Sequence, residues 1–245
     1  MQCNCATVVS AEECSLRPEL EQHQEHIEML DKIEPPQPSR IELEGFKRFS
    51  ESLLWKLMRS FYDRQGALAW ARGIVPHFIT TNSFNSKAYT RVLQGFLADT
   101  ARPCASESPM TQHLKFNPKE KFYIIELGAG SGKFSFLMLK ALQDMRHLDF
   151  PLDNMVYVLT DFTQSNVKFW KGHPSLQPFL KTGQLDFAIF DAEKDDEIRL
   201  CNSGVVLCPR RPTANPICVI ANYLFDTLCQ DIFQVYNGGL SQVRK

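Results

Sequence analysis

Four short stretches of this sequence could carry chemistry. "IIELGAGSGKFSF" (residues 124–136) ends an apolar run on Glu126, then sets Gly128, Gly130 and Gly132 at alternate positions ahead of a helical pattern. Asp161 ends "MVYVLTD", Asp191 and Ala192 end "LDFAIFDA", and Asn222 falls in "PICVIANY". A glycine turn between a strand and a helix lets a ligand reach the backbone, because there is no Cβ and positive φ is permitted. The first amides of the helix then favour a carboxylate or a phosphate. A dinucleotide would want a third glycine where Lys133 stands, and an acid about 20 residues further on. Asp161 instead lies 33 residues after Gly128. A triphosphate loop would want Ser or Thr where Phe134 stands, and a different spacing of the earlier glycine. Both fit poorly.

The elements around these residues read as strand, helix, strand. "KFYIIEL" is a short β-rich run, "KFSFLMLKAL" a helix and "MVYVLTD" a second strand. "TQSNVKFW…SLQPFLKTG" is helical in two pieces stopped by Gly183, and the runs at 185–192 and 216–223 are a third and a fourth strand. Continuous apolar runs with crossover-length connections predict parallel strands buried on both faces, and hence an α/β fold. Asn237-Gly238, between two alternating runs, predicts a hairpin. Upstream, Ser50 is a candidate N-cap, and Leu53, Leu54, Leu57, Met58 and Phe61 recur at helical spacing up to Gly66. "ALAWARG" is a short helix ending at Gly73. A second amphipathic helix carries Tyr89, Val92, Leu93, Phe96 and Leu97 on one stripe.

The glycine stretch, ExGxGxG after a strand, resembles motif I of the class I S-adenosyl-L-methionine-dependent methyltransferases. That resemblance implies a Rossmann-like sheet in which Glu126, Gly128, Ala129, Gly130 and Gly132 hold the methionine end of the cofactor. It implies Asp161 and Phe162 at the ribose, Asp191 and Ala192 at the adenine, and Asn222 facing the methyl group and its acceptor. Ligands of open α/β sheets bind at the carboxyl ends of the strands, so these positions should converge on one crevice. Read as residues alone, Asp161 or Thr163 could equally cap the following helix, and Asp191 could belong to the solvated run "DAEKDDE". Glu126 is a type seldom buried without a partner.

"VIANYLFDTLCQDIFQV" narrows the resemblance to the MidA-like methyltransferases, whose signature reads "ANEFFDALP…F". The mitochondrial branch of that family is associated with protein arginine methylation and respiratory complex I assembly. "YVLTDFTQSNVKFWKGHPSL" and "LWKLMRSFYDRQGALAWARGIVPHFITTNSF" look more like a divergent bacterial-type branch, in which the domain can precede tetratricopeptide repeats. The likeness spans about residues 46–245. Tyr223 stands where the family carries an acid, which weakens an arginine acceptor. Asp226 is retained and could take part of that role, or could cap or pair on the following helix. Catalytic candidates are thus Asn222, Tyr223 and Asp226, with a methyl acceptor, a protein among the candidates, left unidentified. His77, Thr80, Asn82 and Asn85 lie in a turn of the cap, and of these His77 is the candidate base.

Four regions follow: a disordered acidic leader (1–45), a helical cap (46–100), a linker (101–119) and a cofactor-binding domain (120–245). Class I enzymes usually have seven strands ordered 3-2-1-4-5-7-6. Four strands and a hairpin suggest a chain truncated at its C-terminus, with a partner or a missing segment covering the fourth-strand edge. That shortness keeps a second reading open, a cofactor-binding assembly protein without turnover. Over 245 residues the chain is 44% hydrophobic and 22% charged, with a formal net charge of −1. This balance gives no reason to expect nucleic acid or a membrane surface. No run approaches the ~20 apolar residues of a membrane span. The first 31 residues hold one Arg, Arg17, no Lys and no apolar core, so neither a secretory signal nor a transit peptide is read, and the expected location is cytoplasmic. None of the eight cysteines forms CxxC, and no metal site has zinc spacing, though Cys3 and Cys5 could bind a metal or pair with Cys14.

Overall fold

The computed structural model describes residues 42–101, 116–144, 152–236 and 238–243. The chain divides into two compact units, Met1–Gly45 and Phe46–Lys245, and the architecture below is that of the second. Residues 1–41 of the expected leader, with Cys3, Cys5 and Cys14, most of the expected linker, and Asn237 lie outside the described residues.

The centre is a four-stranded parallel sheet in the order β3-β2-β1-β6. Its strands are β1 (Phe122–Glu126), β2 (Met155–Asp161), β3 (Leu185–Ile189) and β6 (Cys218–Ile220). The four predicted strands are all present. β1 runs in register with β2 from Phe122↔Met155 and with β6 from Ile124↔Cys218. Alternation divides each strand between two cores. Phe122, Ile124, Tyr157, Leu159 and Phe187 point to one face, and Tyr123, Ile125, Val156, Val158 and Ala188 to the other.

The two faces are covered differently. On the first lie α3 (Ser83–Ala101), α4 (Lys133–Asp144), α5 (Gln164–Gly172) and α6 (Gln177–Lys181), which bring Leu93, Met138, Trp170 and Phe179 into the core. On the second lies an antiparallel ribbon, β4 (Ile198–Arg199) with β5 (Val206–Leu207), which contributes Ile198, Leu200 and Leu207. The right-handed crossover rule accounts for the split. The chain steps from β1 to β2 to β3 in one direction, which puts both connections on one face. The return from β3 to β6 reverses direction, and the chain builds the ribbon there instead of a helix. Asp186 anchors that ribbon, since its buried carboxylate accepts from the amides of Asn202 (2.9 Å) and Ser203 (3.0 Å). The result is a mixed α/β unit compatible with a Rossmann-like fold.

The cap holds α1 (Leu53–Gln65) and α2 (Leu68–Ala71). The N-cap of α1 is Ser52, whose side chain accepts from the Leu54 amide. Ser50 sits in a preceding 3₁₀ turn and donates its amide to Asp231. The predicted stripes hold only in part, with Leu93 and Leu97 buried and Phe96 packed on the core as expected. In α1 it is Trp55 that is buried, while Leu54 and Leu57 are exposed. In α3 the buried line is Ser86, Thr90, Leu93 and Leu97, with Val92 outside. The hairpin forms as β7 (Ile232–Tyr236) and β8 (Gly239–Val243), but as its own two-stranded sheet. It does not pair with β6, whose outer edge meets no strand among the described residues.

Candidate functional site

A cavity of about 340 Å³ opens at the carboxyl ends of β1, β2, β3 and β6, beneath the cap. Its position is the one the topology dictates, where the strand order reverses between β1 and β6. Glu126, Gly128, Ala129, Gly130, Asp161, Phe162, Asp191, Ala192, Asn222, Tyr223 and Asp226 all line it. Of the residues expected to bind cofactor or act at the acceptor, Gly132 alone does not.

The glycine turn is left-handed at every second residue, with φ of +66° at Gly128, +53° at Gly130 and +72° at Gly132. Space is tight at all three: a Cβ on Gly128 would stand 2.8 Å from the flexible tip of Leu224, and at the other two it would meet rigid indoles. A Cβ on Gly130 would stand 2.7 Å from the indole of Trp70, and one on Gly132 would stand 3.0 Å from Trp170. Gly132 therefore serves packing against the core. The turn is held by the Ala129 amide on Thr160 O (2.9 Å), and by Trp170 Nε1 donating to Gly130 O (3.0 Å).

Two buried carboxylates border this turn. Glu126 ends β1 at 3% exposure, and its Oε2 accepts from Ser135 Oγ (2.5 Å) and Tyr157 OH (2.7 Å). Burial pushes the Glu126 carboxyl up to about 7, against the downward pull of those two donors. Its Oε1 has no protein donor among the described residues, and Glu126 lines the cavity. Asp161 ends β2. Its Oδ1 accepts from the Thr163 amide and Thr163 Oγ1, each at 2.9 Å, and its Oδ2 from the Gly130 amide (3.1 Å) and Asn166 Nδ2 (3.0 Å). Burial raises the Asp161 carboxyl from its ordinary value despite these four hydrogen bonds. The carboxylate thus caps no amide of α5, whose N-cap is Thr163; it holds Thr163 and the Asn166 side chain, and it also fastens the glycine turn.

Asp191 follows β3 and meets the cap. Burial tends to raise its carboxyl, but donors from Lys194, Arg59 and the Glu193 amide outweigh this and hold it below the usual carboxylate value. Arg59, from α1, grips both Asp191 oxygens, pairs with Glu193 Oε2 at 3.0 Å and lies over the Phe162 ring, 4.4 Å from its centroid. The motif reading missed Arg59, Tyr62 and Trp70. The signal was "LMRSFYDRQGALAW", in which Arg59 and Tyr62 share a helix face with Met58. Tyr62 stacks on Trp70 at 5.6 Å, and its phenol is raised by burial, then by Asp226 and Asp161.

The Asn222 side chain is spoken for at both ends. Its Nδ2 donates to Thr80 O (3.3 Å) and its Oδ1 accepts from Tyr89 OH (3.4 Å). Tyr223 adopts φ +54°, a left-handed conformation costly for a bulky residue. Asp226, in the 3₁₀ turn Phe225–Thr227, is exposed and accepts no hydrogen bond among the described residues. The cap turn serves mainly itself. Asn82 accepts from the Asn85 amide, as an N-cap of α3 does, and both asparagines donate to carbonyls at 78–80. Thr80 lines the cavity, but His77 does not, and its Nε2 lies 3.3 Å from Lys133 Nζ.

Among the described residues no group of His, Cys, Asp and Glu could hold a metal ion, Cys201, Cys208, Cys218 and Cys229 are free thiols, and no helix is long and apolar enough to cross a membrane. No family model, curated protein or solved structure matches the chain, and what its site can do follows from the residues above.

Proposed function

We propose that this chain binds S-adenosyl-L-methionine and transfers its methyl group to an acceptor, a protein among the candidates. The observation that carries the reading is the charge of the cavity. Four acidic side chains line it (Glu126, Asp161, Asp191 and Asp226), Glu126 among them held partly protonated by burial, against one cation, Arg59, and Tyr62, Trp70, Phe134 and Phe162 supply aromatic surface. Such a lining attracts a cation by Coulomb's law and by the ring quadrupoles. It repels the pyrophosphate of a dinucleotide, the ligand that the glycine spacing already disfavours.

The residues fit a sulfonium amino acid best at Glu126, whose buried, half-satisfied carboxyl complements an ammonium group. Gly128, Ala129 and Gly130 would take the methionine end beside it. Asp161 and Phe162 would border the ribose, and Asp191 with Ala192 the base. When bound, the cofactor brings a methyl group that is already activated, so the protein's part is alignment and dryness. Trp70 and Tyr62 close the cavity from the cap, and Asn222, braced between Thr80 and Tyr89, fixes the wall towards the acceptor. Asp226 presents an unshared carboxylate that can take a proton from the acceptor.

Specific contacts also favour a second reading, binding without turnover. The Asp161 oxygens are filled by protein donors, and Tyr223 stands in place of an acid. Calorimetric titration with S-adenosylmethionine and with NADH tests both readings. Saturable binding of the sulfonium compound alone, lost in Gly130→Arg, is expected; binding of NADH instead, or of neither by folded protein, would defeat the proposal. Radiolabelled methyl transfer to candidate acceptors then separates the two readings.

A further inference from the structure

Arg59 makes its contacts on the residues to which the cofactor reading assigns the base. Its guanidinium lies over the Phe162 ring, with the carbon 4.4 Å from the centroid; Nη1 reaches Asp191 Oδ1 at 3.4 Å, Nη2 bonds Asp191 Oδ2, and Nη1 meets Glu193 Oε2 at 3.0 Å. Arg59, Phe162 and Asp191 all line the one cavity. A guanidinium is a planar, fork-shaped donor that stacks on aromatic faces and pairs with a carboxylate through two N–H groups. An adenine asks for a similar seat, an aromatic face for its ring and an acceptor for its exocyclic amine. One ring face holds one planar partner at a time.

We propose that Arg59 sets the affinity of this site for a purine nucleoside, by holding the seat of the base in the free protein and yielding it on binding. The inference rests on the cofactor reading. It explains why a helix of the cap turns a basic residue inward while Leu54 and Leu57 face outward. It also explains how Asp191 can keep a partner in either state. Lys194 Nζ is 3.0 Å from Oδ2, so the carboxylate is not stranded when Arg59 leaves. Other ties of the cap do not involve Arg59, since Trp70 rests against Gly130 and the Ser50 amide donates to Asp231 Oδ1. Displacing the guanidinium therefore need not unseat α1.

The direction of the effect is diagnostic. A residue that contacts the base weakens binding when removed, whereas a residue that occupies its place strengthens it. Arg59→Lys keeps the charge but loses the flat fork, and Arg59→Ala removes both. Adenosine, methionine and S-adenosylmethionine are titrated calorimetrically into the wild-type chain and both variants, with melting curves as the check on folding. Arg59→Lys should bind adenosine about five- to thirty-fold more tightly, the worth of a stacked and paired guanidinium. Methionine affinity should be unchanged in that variant. Arg59→Ala should gain at least as much for S-adenosylmethionine, because the cavity also loses its one cation. Equal or weaker adenosine binding in both folded variants, with S-adenosylmethionine still bound by the wild type, overturns the role of Arg59 and spares the cofactor reading. Failure of S-adenosylmethionine to bind any of the three overturns both.

Discussion

Neighbouring strands β1 and β2 each end in a buried carboxylate, Glu126 and Asp161, and the two are used in opposite ways. Asp161 has both oxygens filled by four donors from the glycine turn and the start of α5. Glu126 has two donors, both on Oε2, and turns its remaining capacity to the cavity. Burial raises both carboxyls. Asp161 is thus committed to the fold, holding two loops in register. Glu126 is held in place by the fold but left incomplete, which is the condition of a group waiting for a cationic partner.

Removing Asp161 should have the largest effect. Asp161→Ala leaves the Gly130 and Thr163 amides, the Thr163 hydroxyl and Asn166 Nδ2 without their acceptor. Stranding a buried network of this kind is expected to destabilise by about 3–5 kcal/mol. Asp161→Asn, which retains part of the acceptor capacity, should lose less. Urea denaturation of the two variants checks the order. A loss in Asp161→Ala below about 1 kcal/mol, the size of a single ordinary hydrogen bond, would mean the four contacts are incidental and the contrast with Glu126 is empty.

That contrast was only half legible in the sequence. The strands were readable because runs such as "MVYVLTD" are buried on both faces, and continuous apolar character survives whatever packs on them. The glycine turn was readable because its positive φ angles restrict the residue type. The cap was misread in part, for a physical reason, although Leu93 and Leu97 are buried as expected. A stripe argument assumes that the apolar side of a helix goes inward, but α1 borders a polar cavity and α3 a seam containing Ser86 and Thr90. Arg59 and Tyr62 therefore face in, and Leu57 and Val92 face out. The ribbon β4–β5 escaped because two-residue strands carry no periodicity, and its anchor, Asp186, lies in β3 among apolar neighbours. Whether Asp161 caps a helix or serves a ligand was left open by its position, and its four donors are visible only once the turns fold together.

Glu126 should show an intermediate effect, and one with a characteristic pH signature. Its folded carboxyl is near 7 and its ordinary value is 4.5. The folded state therefore holds the proton more tightly than the unfolded chain. The sign follows: stability is greatest at low pH, falls as pH rises from about 4.5 to 7, and is flat above that. The whole span is roughly 3 kcal/mol. Asp191, whose carboxyl is lowered, acts in the opposite sense and below its ordinary 3.8, outside this window. Glu126→Gln should accordingly be more stable than wild type at pH 8, by up to roughly 3 kcal/mol, and should lose Glu126's share of that slope, keeping the share of the same sign that comes from the raised Asp161 carboxyl. It should also lose affinity for a cationic ligand. A variant that tracked the wild-type stability from pH 5 to 8 would show that Glu126 is already ionised and satisfied in the free protein.

Asp226 extends the comparison to its limit: Asp161 has four donors, Glu126 has two, and Asp226 has none among the described residues. Its contribution to the fold should be correspondingly small, with Asp226→Asn within about 0.5 kcal/mol of wild type in stability. Its influence on the site need not be small, because its charge already reaches the Tyr62 phenol across the cavity mouth. If an unshared carboxylate at that rim receives the acceptor's proton, Asp226→Asn should bind S-adenosylmethionine within a few-fold of wild type yet lose methyl transfer by about 10²-fold or more, as expected when a general base is removed. Turnover unchanged alongside unchanged binding would assign Asp226 to solvent exposure alone. A loss of binding as deep as the loss of turnover would place it with Glu126, as part of the cation's seat and not of the chemistry.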